Sequence, residues 1–120
     1  MEGIFPSNMG GIMNAVKEDV EKLIKKELES ANQRFPMFRS DHEGAAVIYE
    51  EMQETENELK NAQEYFKALW ESVKQNVDAE WCAESIKIAS VNLACEAIQV
   101  AAMAQKFIDS QKERDNHENH

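Results

Sequence analysis

The chain has 120 residues, an apolar fraction of 42% and a formal net charge of −10, from 23 acidic and 13 basic residues. This length suits a single domain, and no run approaches the roughly 20 uninterrupted apolar residues of a membrane-spanning helix. The charge repels phosphate backbones, which argues against DNA or RNA as partners, yet it favours divalent cations. Residues Met1 to Gly11 show no basic segment followed by an apolar one, so no signal peptide is expected, and the cytoplasm is the expected location. Cys82 and Cys95 fall in one predicted helix, roughly 20 Å apart along its axis, too far for a disulfide that needs Cα atoms within about 7 Å. Free, buried thiols in a reducing compartment are expected.

Residues 1–10 read as an irregular lead-in. A first helix follows from residue 11, with Ile12, Val16, Val20, Leu23, Ile24, Leu28 and Ala31 at three- and four-residue spacing. It ends near Phe35-Pro36, because a residue before proline avoids helical geometry. The segment Arg34 to Arg39 is then a loop whose Phe35, Met37 and Phe38 plug one end of a bundle or help to hold a ligand.

Ser40 and Glu43 form a capping box that starts a second helix. Its predicted seam is Ile48, Met52, Thr55, Leu59, Ala62, Phe66, Leu69 and Val73, alternating four and three as in coiled-coil packing. This helix ends near Asn76 to Asp78, where Asp78 caps a third. The third seam is Cys82, Ile86, Ala89, Leu93, Ala97, Val100, Ala104 and Phe107. Trp70 and Trp81 flank the turn and are expected in the core at that end. Residues 110–120 read as a frayed polar tail. The reading is thus an all-α protein with one helical domain over 11–109. Helices this long, apolar on several sides, predict completion by a homodimer or homotetramer.

Leu93 to Ala104 reads LACEAIQVAAMA, in which Glu96 and Gln99 are the two residues that are not apolar. Their i, i+3 spacing turns them the same way, and an unpaired carboxylate in such a setting costs several kcal/mol. The second helix offers Glu51 and Glu54, also i, i+3. If the two helices pack antiparallel, these four side chains face one another, and their hard oxygens suit Mg²⁺ or Mn²⁺. Two plainer readings stand beside this one. Glu50, Glu51, Glu54, Glu56 and Glu58 also fit a solvated acidic stripe, and Glu96 with Gln99 also fits a buried polar pair that sets packing register.

The run FPMFRSDHEGAAVIYEEMQETENEL, followed by EAIQVAAMAQKFI, resembles the MazG-like branch of the all-α NTP pyrophosphohydrolases, in its short single-domain form. The likeness extends from the first helix to about Ile108. It implies the long-helix bundle of that family. It also implies Mg²⁺ held by Glu51 and Glu54 on one helix and by Glu96 and Gln99 on the next. The implied reaction is hydrolysis of a (deoxy)nucleoside triphosphate to a monophosphate and pyrophosphate. Glu50, just before the first pair, is the implied acceptor of the water proton. Gln99 departs from the family's aspartate and supplies an amide oxygen without charge. A degenerate oligomer that binds nucleotide or a protein partner without hydrolysis is therefore the alternative.

Three further residues are candidate substrate contacts. His42, near a helix N-terminus, suits a phosphate or simply a surface position. Asn92 and Lys106 share the Glu96/Gln99 face, and Lys106 suits either a substrate phosphate or a surface salt bridge. His117 and His120 in the tail receive no role, and no zinc spacing, Gly-rich phosphate loop or nucleophilic triad is present.

Overall fold

A computed structural model describes residues 15–118, and all of its regular structure is α-helical: α1 (Lys17–Arg34), α2 (Asp41–Lys74) and α3 (Glu80–Glu118). Ile12 and the lead-in over 1–10 lie outside the described residues, as does His120. The helix ends follow local chemistry. Ser40 is extended (φ −152°, ψ 164°), and its hydroxyl accepts from the Glu43 N–H at 3.1 Å, as the capping box predicts. At the other end of α2, Asn76 takes a left-handed φ of 57°, which a short polar side chain tolerates. There the Val77 N–H reaches the Ser72 carbonyl at 2.9 Å and the Asn76 N–H that of Val73 at 3.1 Å, the closure of a Schellman motif. The Asp78 carboxylate then accepts from the Glu80 N–H at 3.0 Å and opens α3.

The short α2–α3 connection makes those helices antiparallel neighbours, and α1 lies across α3. Buried Ala31, Phe38, Ala102 and Met103 form the core, with Ile24, Leu28, Val47, Ile48 and Phe107 packed on it. It occupies one end of the molecule. Phe38 is its plug, whereas Met37 is half-buried and Phe35 stays exposed.

Residues from 110 onward were expected to fray, but α3 runs through Glu118, because its last turns hold the α1–α2 loop. Buried Ser110 accepts from the Phe38 N–H through Oγ at 3.0 Å, and Arg114 Nη1 donates to the Phe38 carbonyl at 2.8 Å. Arg114 also pairs with Asp41. These bonds satisfy loop backbone groups that would otherwise be orphaned near the core.

The seams differ from the sequence reading in one respect that matters for function. On α2, Ile48, Thr55, Ala62 and Leu69 are half-buried as expected, but Met52, Leu59, Phe66 and Val73 are exposed. The second shielded column is Glu51, Glu58, Tyr65 and Ser72. On α3 the predicted seam holds at Cys82, Ile86, Ala89, Leu93, Val100, Ala104 and Phe107, which are buried or half-buried, and fails at Ala97, which is exposed beside half-buried Glu96. Trp70 and Trp81 are also exposed rather than core, Trp81 resting edge-on against Tyr65 at 5.9 Å. Cys82 is buried and Cys95 exposed, both free.

The stretch 88–105 carries one charged residue, Glu96, and by length and composition α3 is sufficient to cross a membrane. The same helix is the one against which both others pack.

Gly44 of α2 packs against Phe107 of α3 and Phe38 of the loop with no room for a side chain. A Cβ there would stand 2.6 Å from Phe107 Cδ2 and 2.9 Å from Phe38 Cδ2. Gly44→Ala is therefore expected to destabilise the protein by about 1–3 kcal/mol despite the better helix propensity of alanine. Urea unfolding measures this, and an unchanged or raised midpoint would show that the rings yield freely.

Candidate metal centre

Glu51 and Glu54 lie one turn apart on α2, and the shielded column carries Glu51 into the α2–α3 seam. Glu96 enters the same layer from α3. One carboxylate oxygen from each of Glu51, Glu54 and Glu96 lies within 4.8 Å of the others. Two oxygens on one magnesium ion stand at most about 4.2 Å apart, so small side-chain shifts bring all three into a common shell. Glu51 and Glu96 are half-buried and Glu54 is exposed, so the cluster is open on one side.

Its electrostatics are those of a site short of positive charge. The Oε2 atoms of Glu51 and Glu96 are buried without a hydrogen-bond partner. Among the described residues no lysine or arginine forms an ion pair with the cluster. Burial, a proton shared with Glu54, and the charges of Glu54, Glu51 and Glu58 push the Glu96 carboxyl up to about 7. Burial and the neighbouring charges of Glu54, Glu50 and Glu27 also raise Glu51, with Glu96 opposing through hydrogen bonding. The donor set fits a hard divalent cation: carboxylate oxygens, two of them orphaned, and no competing nitrogen or sulfur ligand in the cluster.

The other predicted residues fall in different places. Gln99 is half-buried and lines a cleft of about 340 Å³ that also reaches Glu51. Glu50 is exposed and outside the cluster, although its charge is felt by Glu51. His42 is exposed in the first turn of α2. Asn92 is exposed and lines a separate cleft of about 210 Å³ with Glu58, Asn61 and Tyr65. Lys106 is not the surface salt bridge that one reading allowed. It is 2% exposed, forms no ion pair among the described residues, and lies 5.0 Å from the Phe38 ring centroid.

The sequence reading missed Glu27 and Arg34 on α1 and Glu43 on α2, which line the larger cleft. Glu27 is one turn before core residue Ala31, and that spacing was the available signal. The solvated stripe proposed for α2 is correct for exposed Glu50, Glu54 and Glu56, and incorrect for half-buried Glu51 and Glu58.

No family model, curated protein or solved structure matches this chain.

The raised Glu96 carboxyl has a measurable consequence in the metal-free protein. Between the ordinary value of 4.5 and about 7, the folded chain keeps a proton that the unfolded chain gives up. Stability therefore falls as pH rises through that interval. The expected loss between about pH 5 and about pH 8 is on the order of 1–2 kcal/mol, after allowance for solvent screening. Glu96→Gln should flatten the profile. Urea unfolding in EDTA across the range checks this, and an equally steep profile in the variant would assign the loss elsewhere.

Proposed function

We propose that this protein is a Mg²⁺-dependent nucleoside triphosphate pyrophosphohydrolase that works as a homo-oligomer. The observation that carries the reading is the convergence of Glu51, Glu54 and Glu96, with two buried oxygens unpartnered among the described residues. The resemblance of the flanking motifs to the MazG-like family supplies the reaction class. Manganese suits the same oxygens.

In this reading Glu51, Glu54 and Glu96 hold the ion, and the Gln99 amide oxygen adds a neutral donor from the cleft wall. Bound there, magnesium would supply charge neutralisation to phosphate oxygens and a more acidic water. The residues do the rest. Water adds to the α-phosphorus while the bond from that phosphorus to the bridging oxygen breaks. Pyrophosphate leaves, and the water proton passes to a carboxylate. Glu50 suits that last role because it is solvent-facing and adjoins Glu51. The half-buried seam positions fix Glu51 and Glu96 before substrate arrives, which is the orientation such catalysis needs. With the ion in place, a chain of charge −10 offers a triphosphate a local positive centre.

A homo-oligomer is supported by what the single chain leaves uncovered. Met52, Leu59, Phe66 and Val73 form one exposed apolar column along α2. Grooves beside it, lined by Tyr49, Met52, Ala104 and Ile108 and by Leu59, Ala97 and Val100, continue it onto α3. The molecule measures 69 × 29 × 24 Å with a radius of gyration of 19.1 Å. A compact chain of this length has about 14 Å. A second copy laid along the column would complete a four-helix core.

Pyrophosphate release from a panel of NTPs and dNTPs, with Mg²⁺ or with EDTA, tests the activity. Metal-dependent turnover is expected, and Glu51→Gln should lower it by at least about 100-fold. No turnover of any nucleotide would leave a non-hydrolytic oligomer, the role that Gln99 in place of aspartate also fits. The assembly has its own test. Met52→Asp with Phe66→Asp should shift the mass measured by light scattering to that of one chain. A wild-type protein that is already monomeric would contradict the interface.

A further inference from the structure

We propose that the cleft between the three helices and the 35–38 loop takes a nucleobase, and that Lys106 favours a base bearing a ring carbonyl. This deepens the nucleotide reading of the neighbouring carboxylates and rests on it for what lies beyond the base.

The cleft holds about 340 Å³, room for a heteroaromatic ring and part of a sugar. Glu51 and Gln99 line it, so one end opens on the carboxylate cluster. Lys106 stands seven residues beyond Gln99 on the same helix, about 10 Å along its axis. That is the order of the separation between the α-phosphate of a nucleotide and the far edge of its base. Phe35 lies on the lining yet is 60% exposed, and Pro36, Phe38 and Met103 complete a largely apolar wall. A flat ring gains from such surfaces.

Lys106 is what makes the cleft a site rather than a hollow. Its side chain is 98% buried, by the 2% exposure, and it reaches the cleft lining without an ion pair or hydrogen bond among the described residues. The face of Phe38, 5.0 Å from Nζ to the ring centroid, compensates part of the lost hydration of the ammonium. Burial pulls its pKa down and the Glu43 charge opposes this. Among the described residues no protein acceptor or ion-pair partner meets the ammonium, which leaves it free to bond to whatever fills the cleft. That occupant's acceptor is not a phosphate, because Glu27, Glu43 and Glu51 outnumber Arg34 and Lys106 on the cleft lining and leave it net negative. A carbonyl oxygen is a neutral acceptor and fits that balance. A base without one leaves the ammonium unsatisfied, and a buried polar group left unpaired is the strongest basis for rejection. Hypoxanthine and uracil carry the carbonyl, and adenine does not.

The test uses nucleosides, which have no phosphates, on the full chain in EDTA, with binding followed by backbone NMR shifts. Inosine and uridine are expected to bind at least about tenfold more tightly than adenosine. Their shifts should fall on residues 31–38 and 99–106. Lys106→Met should abolish the preference and leave the melting temperature unchanged or higher, since it removes a buried unpaired charge. If that variant fails to fold, Phe35→Ala, at an exposed position, should weaken all three nucleosides together. Equal affinity for inosine and adenosine in the wild type overturns the proposal, as does absence of binding at about millimolar nucleoside. Loss of tripolyphosphate binding in Lys106→Met with nucleoside preference intact also overturns it. Nucleoside preference without pyrophosphate release from any triphosphate would sink the hydrolase reading alone, and turnover without the preference would sink the cleft assignment alone.

Discussion

Two carboxylates face each other across a helix–helix seam, and much of the structure can be read from that fact. Glu51 and Glu96 occupy positions where a packing seam ordinarily places leucine or alanine, each with one oxygen cut off from water and from any donor. Burial first, then hydrogen bonding to Glu54 and the charges of Glu54, Glu51 and Glu58, push the Glu96 carboxyl up to about 7, so the metal-free chain retains a proton there. A proton is a poor counterion for three carboxylates, since it neutralises one of them. A divalent ion neutralises two and supplies positive density to every orphaned oxygen. On the proposed reading the layer is a stability defect in the metal-free chain that a bound cation would turn to advantage.

The remainder of the fold serves to hold that layer in register. At one end, the buried core formed by Ala31, Phe38, Ala102 and Met103 fixes α1 and the loop against α3. Ser110 and Arg114 clamp the loop backbone, and Gly44 admits α2 close enough for Phe107 and Phe38 to pack on its first turns. Toward the other end α2 and α3 continue as a bare pair, with Phe66, Trp70 and Trp81 exposed. The carboxylates sit between the half with a buried core and the half that has no cover among the described residues.

Much of this was legible in the sequence, and the failures share a cause. The capping serine, the proline that ends α1 and the aspartate that opens α3 are local signals, read from a few neighbouring residues, and the structure bears them out. The pairing of Glu51 and Glu54 with Glu96 was also legible, because spacing on two helices limits which side chains can meet. What could not be read was which column of α2 turns inward. Met52, Leu59, Phe66 and Val73 are more apolar than Glu51, Glu58, Tyr65 and Ser72, so any count of hydrophobicity places the former in the seam. The structure places them outside. Periodicity reports that a face is to be buried but not against what, and a helix with two apolar columns leaves the choice to tertiary packing. Lys106 and the last turns of α3 escaped for the converse reason. Their polarity signals solvent, and only the folded loop supplies the Phe38 ring and backbone carbonyl that draw Lys106 and Arg114 inward.

The inward glutamates and the outward apolar column are then two aspects of one arrangement. Rotating α2 to bury Met52 and Leu59 against α3 would carry Glu51 and Glu58 out to water and disperse the carboxylates. Keeping the glutamates inside leaves the apolar column on the surface, where it costs solubility unless something covers it. On the proposed reading, a second copy and a divalent ion remove these two costs separately, the first from the outer face of α2 and the second from the inner one. Both act on the same rotational setting of the helix. Assembly therefore favours the orientation in which Glu51 meets Glu96, and cation binding favours the orientation that exposes the apolar column. On that reading the two equilibria would be linked through α2, so that each ligand, ion or partner chain, would tighten the binding of the other.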